Sequence, residues 1–121
     1  MLKFAAFIST VSLFLPVNAQ DQIFEEAEPR FFQAMKLERM GDVDQAAEIY
    51  QKILTKIPNH QPSYFQLKNI YNKNGEFSLG IQLIKSWLQL HPSDHQSELS
   101  LGEFYFKDQQ QENALKIWKN F

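Results

Sequence analysis

The chain has 121 residues, enough for one small domain, and its 44% hydrophobic and 14% aromatic content is typical of a packed core. A net charge of −2 offers no electrostatic footprint for nucleic acid or for an anionic membrane surface, so we expect neither partner. Cysteine is absent, which excludes disulfides, thiolate nucleophiles and cysteine-based zinc sites.

The first 19 residues have the pattern of a secretory signal peptide. Lys3 supplies a short positive region, an uncharged apolar run follows, and Pro16 interrupts that run ahead of Val17-Asn18-Ala19. The run is shorter than the roughly 20 residues that span a bilayer, although an uncleaved interfacial or anchor helix is an alternative. We expect cleavage after Ala19, a periplasmic or secreted protein, and no transmembrane span in the mature chain.

Residues 20–27 form an acidic lead-in, either disordered or one helical turn, and six amphipathic helices are predicted after it. Gly41 and Gly75 are predicted to end the first and third helices, because glycine tolerates a left-handed backbone. Ser93 or Asp94 is a candidate cap for the fifth helix. The helices are predicted near residues 28–40, 43–56, 62–73 and 77–90, then up to 107, and from 111 onward.

Apolar residues recur at three- and four-residue steps in each predicted helix, which indicates one buried stripe per helix. The residues predicted on these stripes are Phe32, Met35, Leu37, Val43, Ala46, Ala47, Tyr50, Ile53, Leu54, Ile57, Tyr64, Leu67, Ile70, Tyr71, Phe77, Gly80, Ile81, Ile84, Trp87, Leu88, Leu101, Gly102 and Tyr105. The sixth helix carries the apolar residues Ala114, Leu115, Ile117 and Trp118.

The chain is self-similar at a period of 34 residues, which separates Pro58 from Pro92 and Gly41 from Gly75. With this phasing the chain resembles tetratricopeptide repeats (TPR), in repeats 27–60, 61–94 and an incomplete 95–121. Lys68 departs from the small residue of the family pattern. The resemblance implies an all-α domain over residues 28–121, a right-handed superhelical solenoid of antiparallel helix pairs with about three repeats and six helices.

The resemblance also implies that the first helix of each repeat lines a concave groove that binds a protein or peptide partner. Apolar anchors would supply affinity there, and amide and ammonium groups would donate to a peptide backbone or carboxylate. Alternatively, these aromatic residues pack beneath neighbouring segments of the chain itself. The implied groove residues are Phe31, Met35, Glu38, Arg39, Phe65, Asn69, Asn72, Lys73, Leu99, Glu103, Phe106 and Lys107.

Chemistry-bearing patterns are weak. His91 and His95 have metal-binding spacing, but Pro92 breaks the helix between them, so we interpret them, with His60, as loop or capping residues. Glu25, Glu26 and Glu28 could resemble a catalytic carboxylate cluster, but we interpret them as a solvated acidic helix start, which the helix dipole favours. We find no phosphate loop or nucleophile motif in the sequence, and we therefore predict no enzyme activity, no cofactor and no metal.

Three functional hypotheses follow. The first is an exported, non-catalytic scaffold or adaptor that binds a partner in the groove. The second is the N-terminal TPR segment of a larger envelope enzyme or secretion component, suggested by the incomplete third repeat. The third is homo-oligomerisation, through the apolar C-terminal residues Trp118 and Phe121 and the outer leucines of the fourth helix.

Overall fold

The computed structural model describes the backbone of residues 17–121 and the side chains of residues 27–121, and the predicted signal peptide lies outside this range except for residues 17–19. The described part contains six α-helices and no strand. They are α1 Val17–Arg39, α2 Val43–Lys56, α3 Gln61–Asn74, α4 Phe77–Leu90, α5 His95–Lys107 and α6 Gln111–Trp118. Each helix packs on the next one along the chain, so three helix pairs form a continuous stack. None of these helices is both long and apolar enough to cross a membrane.

The helix α1 begins earlier than predicted and continues through Pro29, a residue that the sequence places near a helix start. Proline lacks a backbone N–H and so removes one helical hydrogen bond at this point. Ala27, just before the proline, is buried against Ile53 and Ile57 of α2. This apolar contact favours helical structure at Ala27, on the N-terminal side of the proline. The backbone of the acidic lead-in is therefore helical.

The turns between paired helices follow the predicted glycine positions. Gly41 and Gly75 adopt φ angles of 89° and 70°, in the left-handed region where a side chain would be strained. The third turn has no glycine, and Gln109 adopts the same region with φ of 62°. The predicted caps are confirmed at Asp94, whose carboxylate accepts the N–H of Ser97 at the start of α5.

The core follows the predicted stripes at most positions. The two helices of the central repeat, α3 and α4, supply more than half of the largest cluster of buried side chains. The members of this cluster are Ala34, Ala46, Tyr50, Tyr64, Leu67, Ile70, Tyr71, Ile81, Ile84, Trp87, Leu101 and Phe104.

Phe32, Leu115 and Phe104 lie differently from what the apolar stripes alone indicate. Phe32, predicted with Met35 and Leu37 on the apolar side of the first helix, is 59% exposed, and Leu115 of the sixth helix is 52% exposed. Phe31 takes the inward place beside Phe32 and packs on the ring of Tyr50. Phe104, which the repeat pattern does not place in the core, is 3% exposed. Its ring lies directly over Gly80, where no side chain intervenes, so α4 and α5 approach closely at this point.

Candidate partner-binding groove

The predicted groove residues of α3 and α5 form one surface, because side chains connect these two helices directly. The amine of Lys107 donates a hydrogen bond of 2.8 Å to the amide oxygen of Asn72. The Lys68 amine donates a longer bond of 3.4 Å to the hydroxyl of Ser100. We call the surface of α1, α3 and α5 that carries the twelve predicted groove residues the first-helix face. The contacts show that its α3 and α5 parts are adjacent.

The apolar part of the first-helix face is open on α3 and α5. Phe65 is 49% exposed, Leu99 is 38% exposed and Phe106 is 54% exposed. Phe106 has support from below, since its ring lies 5.9 Å from that of Trp118. These three large side chains therefore present apolar area that no described residue covers, as a binding surface for an apolar partner requires.

A buried cation lies beneath the aromatic part of this surface. Lys68 is only 8% exposed, and its Nζ lies 4.8 Å from the ring centroid of Phe65 and 5.2 Å from that of Tyr64. Both contacts are cation–π interactions, which stabilise a desolvated ammonium. Burial lowers the pKa of Lys68, and this effect outweighs the negative charges of Asp94 and Glu103, which act to raise it. The lysine thus supports the Phe65 ring from the protein side.

The polar groups of the first-helix face differ in how many of their hydrogen bonds are already made. Asn72 and Lys107 bind each other, so the amide oxygen of Asn72 is occupied while its NH₂ group can still donate. Asn69 is half-buried, and Lys73 and Glu103 are exposed. The surface around Phe65 therefore offers amide and ammonium donors and one exposed carboxylate to a partner.

The α1 part of the first-helix face is used largely for internal packing. Phe31 is half-buried, with its ring 5.6 Å from the rings of both Tyr50 and His60. Glu38 accepts a short hydrogen bond from the hydroxyl of Tyr50. Burial, with further contributions from Glu38, raises the pKa of Tyr50 well above its usual value. Of the two remaining predicted residues on α1, Met35 is half-buried and Arg39 is exposed.

A chain of polar contacts connects α3, α4 and α5 beneath the first-helix face. Asp94 accepts hydrogen bonds from the indole N–H of Trp87, at 2.9 Å, and from the hydroxyl of Ser97, at 2.7 Å. Because that hydroxyl already donates to Asp94, the Tyr64 hydroxyl is the donor in its own 2.7 Å bond to Ser97. The rings of Tyr64 and Trp87 stack at 4.1 Å with an interplanar angle of 5°. Burial raises the pKa of Tyr64 to about 12.

The histidines lie at helix ends, as the sequence predicted. His60 precedes α3 and its ring nitrogen accepts the N–H of Ser63, while burial lowers the pKa of the imidazole. His91 follows α4, and His95 pairs with Glu98 at 3.2 Å at the start of α5. Within the residues that the structure describes, no group of three or more His, Asp or Glu is arranged to hold a metal ion.

Sequence reasoning missed the two residues that organise this surface from below. Lys68 stands where the family pattern has a small residue, and this departure from the pattern gives no indication that the lysine is buried. Ser97 is 2% exposed, but a serine in the first turn of a helix gives no signal of burial. The 34-residue repeat places Tyr64 and Ser97 on the first helices of neighbouring repeats, so it indicates that they lie near each other but not that they form a hydrogen bond.

The described helices form an all-α, TPR-like solenoid of helix pairs. Two solved structures show this fold: MamA from Desulfovibrio magneticus RS-1, from residue 41 to the end, and the MamA RS-1 ArsTM double mutant. Each has 22% sequence identity to this chain and a TM-score of 0.63. The match covers 77% of this chain and 52% of either MamA chain, so the chain spans about half the length of these structures. No family model matches the sequence, and no curated protein does.

Proposed function

We propose that the chain is a non-catalytic protein–protein interaction scaffold that binds an extended or helical peptide segment of its partner on the first-helix face. The observation that carries this proposal is the cluster of Phe65, Leu99 and Phe106, which are exposed beside amide and ammonium donors on α3 and α5. Solenoids of helix pairs use such surfaces as binding platforms, and the likeness to MamA supports the fold on which this argument depends.

The chemistry of the surface favours a peptide with apolar side chains. Phe65 and Phe106 would receive these side chains, because aromatic rings supply a large rigid contact area at a small entropic cost. The amides of Asn69 and Asn72 would pair with main-chain groups of the peptide, which must be hydrogen-bonded once they leave water. We place the binding site at α3 and α5, because the corresponding α1 residues Phe31 and Glu38 are engaged with Tyr50.

The proposal also includes export, which depends on the N-terminal pattern and on cleavage after Ala19. Amino-terminal sequencing of the protein purified from its native host is expected to begin at Gln20, with the protein recovered outside the cytoplasm. A chain that retains Met1 and fractionates with the cytoplasm would refute export. That result would leave the proposed peptide surface unaffected.

The groove is tested by exchanging one exposed aromatic residue for a charge. A library of displayed random peptides is selected on the full-length chain, and the enriched peptides are titrated against Phe65→Glu. We expect affinity to fall at least about tenfold, since a buried carboxylate would replace an aromatic anchor. Helical circular dichroism should be unchanged, because the Phe65 ring is half exposed in the folded chain.

Phe32→Glu is the matched control, since Phe32 is also an exposed phenylalanine, with 59% of its area accessible, but is not one of the groove residues. We expect this variant to bind the peptides like the unmodified chain. Equal loss of affinity in both variants would contradict a site at Phe65. Failure of the unmodified chain to enrich any peptide would contradict the scaffold proposal itself.

A further inference from the structure

A second apolar surface lies on α2 and α4, the second helices of the first two repeats, and the first-helix face does not include it. Two adjoining hollows between these helices share Leu54, Leu83 and Ser86, so they form one continuous groove. Every side chain that lines it is uncharged. The chain has 21% charged residues, so their absence from this groove is informative, because charged residues are depleted at the centre of interfaces relative to the rest of the surface.

One wall of this outer groove is a row of side chains on α4, which we call the leucine stripe: Leu79, Leu83, Ser86 and Leu90. Their spacing of four, three and four residues matches the heptad spacing by which two helices pack side by side. Leu79 is 42% exposed and Leu90 is 54% exposed. The buried residues Gly80, Ile84 and Trp87 lie on a different side of the helix. Of the stripe, only Leu83 is partly buried and packs against the core, so Leu79, Ser86 and Leu90 remain exposed for a partner.

The charge pattern of α4 indicates what covers the stripe. Lys85 is the only charged residue of this helix, and it lies outside the stripe on the side that carries Ser78 and Gln89. Two copies of α4 that meet through their stripes would therefore bring no like charges together and would desolvate no charged group. The side chains of Gln51, Thr55 and Gln82 border the groove and would supply neutral hydrogen bonds at its rim.

The leucine stripe and the outer groove are next to each other on the same face, which is the arrangement that a two-fold symmetric pair requires. In such a pair the stripe of one copy lies in the groove of the other, and the reverse contact forms at the same time. We propose that this face binds a second copy of the chain, with α4 packed against α4. This homodimer surface is separate from the first-helix face and does not depend on the function proposed for it.

The absence of cysteine allows a direct test, because a single introduced thiol reports only its own neighbourhood. Ser86 lies near the middle of the leucine stripe, so in either parallel or antiparallel two-fold pairing it approaches its counterpart. We expect full-length Ser86→Cys to form a disulfide-linked dimer on mild oxidation at least about tenfold faster than Ser78→Cys. Ser78 is an equally suitable exposed serine on the same helix, but outside the stripe.

Sedimentation equilibrium gives the second measurement. At roughly 100 µM the unmodified chain is expected to be dimeric, whereas Leu79→Glu and Leu90→Glu should be monomeric, since each buries a carboxylate in an apolar contact. Either change in a Ser86→Cys background should also abolish the fast cross-linking. An unmodified chain that remains monomeric would refute the second copy as occupant and leave the groove to a different protein. Equal cross-linking of Ser86→Cys and Ser78→Cys, or dimers that survive both glutamate substitutions, would also overturn the proposal.

Discussion

Gln109 occupies the left-handed backbone conformation that Gly75 occupies one repeat earlier, with φ of 62° against 70°. The two turns have equivalent backbone hydrogen bonds. The N–H of Gln110 donates to the carbonyl oxygen of Tyr105 at 2.8 Å, and the N–H of Glu76 donates to that of Tyr71 at 2.9 Å. A residue with a Cβ is strained in this conformation by about 1–2 kcal/mol. We therefore expect Gln109→Gly to raise the free energy of unfolding in urea by about 0.5–1 kcal/mol, after the larger entropy of glycine in the unfolded chain is subtracted.

The reciprocal change at Gly75 is the control. A Cβ there would meet only a ring carbon of Phe77 at 4.0 Å, so Gly75→Gln tests backbone conformation with little change in packing. We expect it to lower the free energy of unfolding by about 1 kcal/mol. A Gln109→Gly chain that is less stable than the unmodified one would show that the third turn does not carry this strain.

The third turn also shows what sequence periodicity can predict. The Asp108-Gln109-Gln110 segment lacks the glycine of the earlier turns, so residue type alone leaves the end of α5 uncertain. The period of 34 residues nevertheless places Gln109 opposite Gly75, and the structure has the same turn there. Helix packing therefore imposes the turn even where the local sequence does not favour it, because the next helix must return onto the stack.

Gly80 is expected to be intolerant of any side chain, despite its place inside a helix. A Cβ at this position would lie 2.0 Å from Cε2 of Phe104, whose ring is 3% exposed and meets the edge of Phe77 at 6.0 Å between centroids. Alanine would improve helix propensity by about 1 kcal/mol, but overpacking a core costs about 1–3 kcal/mol. We expect a net loss of thermal stability in Gly80→Ala, measured by calorimetry.

A second-site change distinguishes this clash from other effects of the alanine. Replacing Phe104 by leucine shortens the ring that the new methyl group would meet. Phe104→Leu alone should destabilise the chain, whereas the double variant should be more stable than the sum of the two single changes predicts. Additive effects would contradict the close approach of α4 and α5 at Gly80.

The core and the groove were predictable to different degrees. Helix stripes identify Tyr50, Leu67 and Ile84, since spacing along one helix shows which side is apolar. Phe104 escapes this reasoning because its partner, Gly80, belongs to another helix and has no side chain to mark the contact. For the same reason the sequence cannot show that Phe31 is partly covered by Tyr50 while Phe65 is open. These differences arise between elements, and periodicity describes only one element at a time.

Asp94 makes the fold sensitive to acid. Partial burial alone would raise the pKa of Asp94, but hydrogen bonds from Ser97 and Trp87 and the charge of Lys68 outweigh it, and the pKa is lowered. A carboxyl group with a lowered pKa in the folded state stabilises the chain above its unfolded pKa of about 3.9, and the stabilisation is lost as pH falls through the folded value. We expect Asp94→Asn, which keeps a capping oxygen, to lose less unfolding free energy than the unmodified chain between about pH 5 and 2.

Asp42→Asn is the matched control for this pH dependence, since Asp42 also precedes a helix but its side chain makes no capping hydrogen bond. Its stability profile should follow that of the unmodified chain. Urea denaturation at a series of pH values gives the comparison. If the unfolding free energy of Asp94→Asn depends on pH in the same way as that of the unmodified chain, the contacts of Asp94 do not stabilise its ionised carboxylate over the protonated form.

Lys68 should reduce the stability of the fold while it supports the Phe65 ring. The residue is 8% exposed, and among the described side chains no carboxylate oxygen lies within 4.0 Å of its Nζ. Methionine would keep much of the side-chain volume and avoid a buried charge, so we expect Lys68→Met to raise the unfolding free energy at pH 7 by about 1 kcal/mol, net of the lost cation–π contacts.

The same burial makes the contribution of Lys68 depend on pH. Burial lowers the pKa of Lys68 in the folded chain, although the negative charges of Asp94 and Glu103 act to raise it. The unfolded chain therefore binds this proton more tightly than the folded chain does. The stability of the unmodified chain should then rise as pH approaches the unfolded pKa of about 10.4, and the advantage of Lys68→Met should shrink. Lys73→Met, at an exposed lysine of the same helix, should show neither effect, and a Lys68→Met chain that is less stable at pH 7 would contradict the cost assigned to the buried charge.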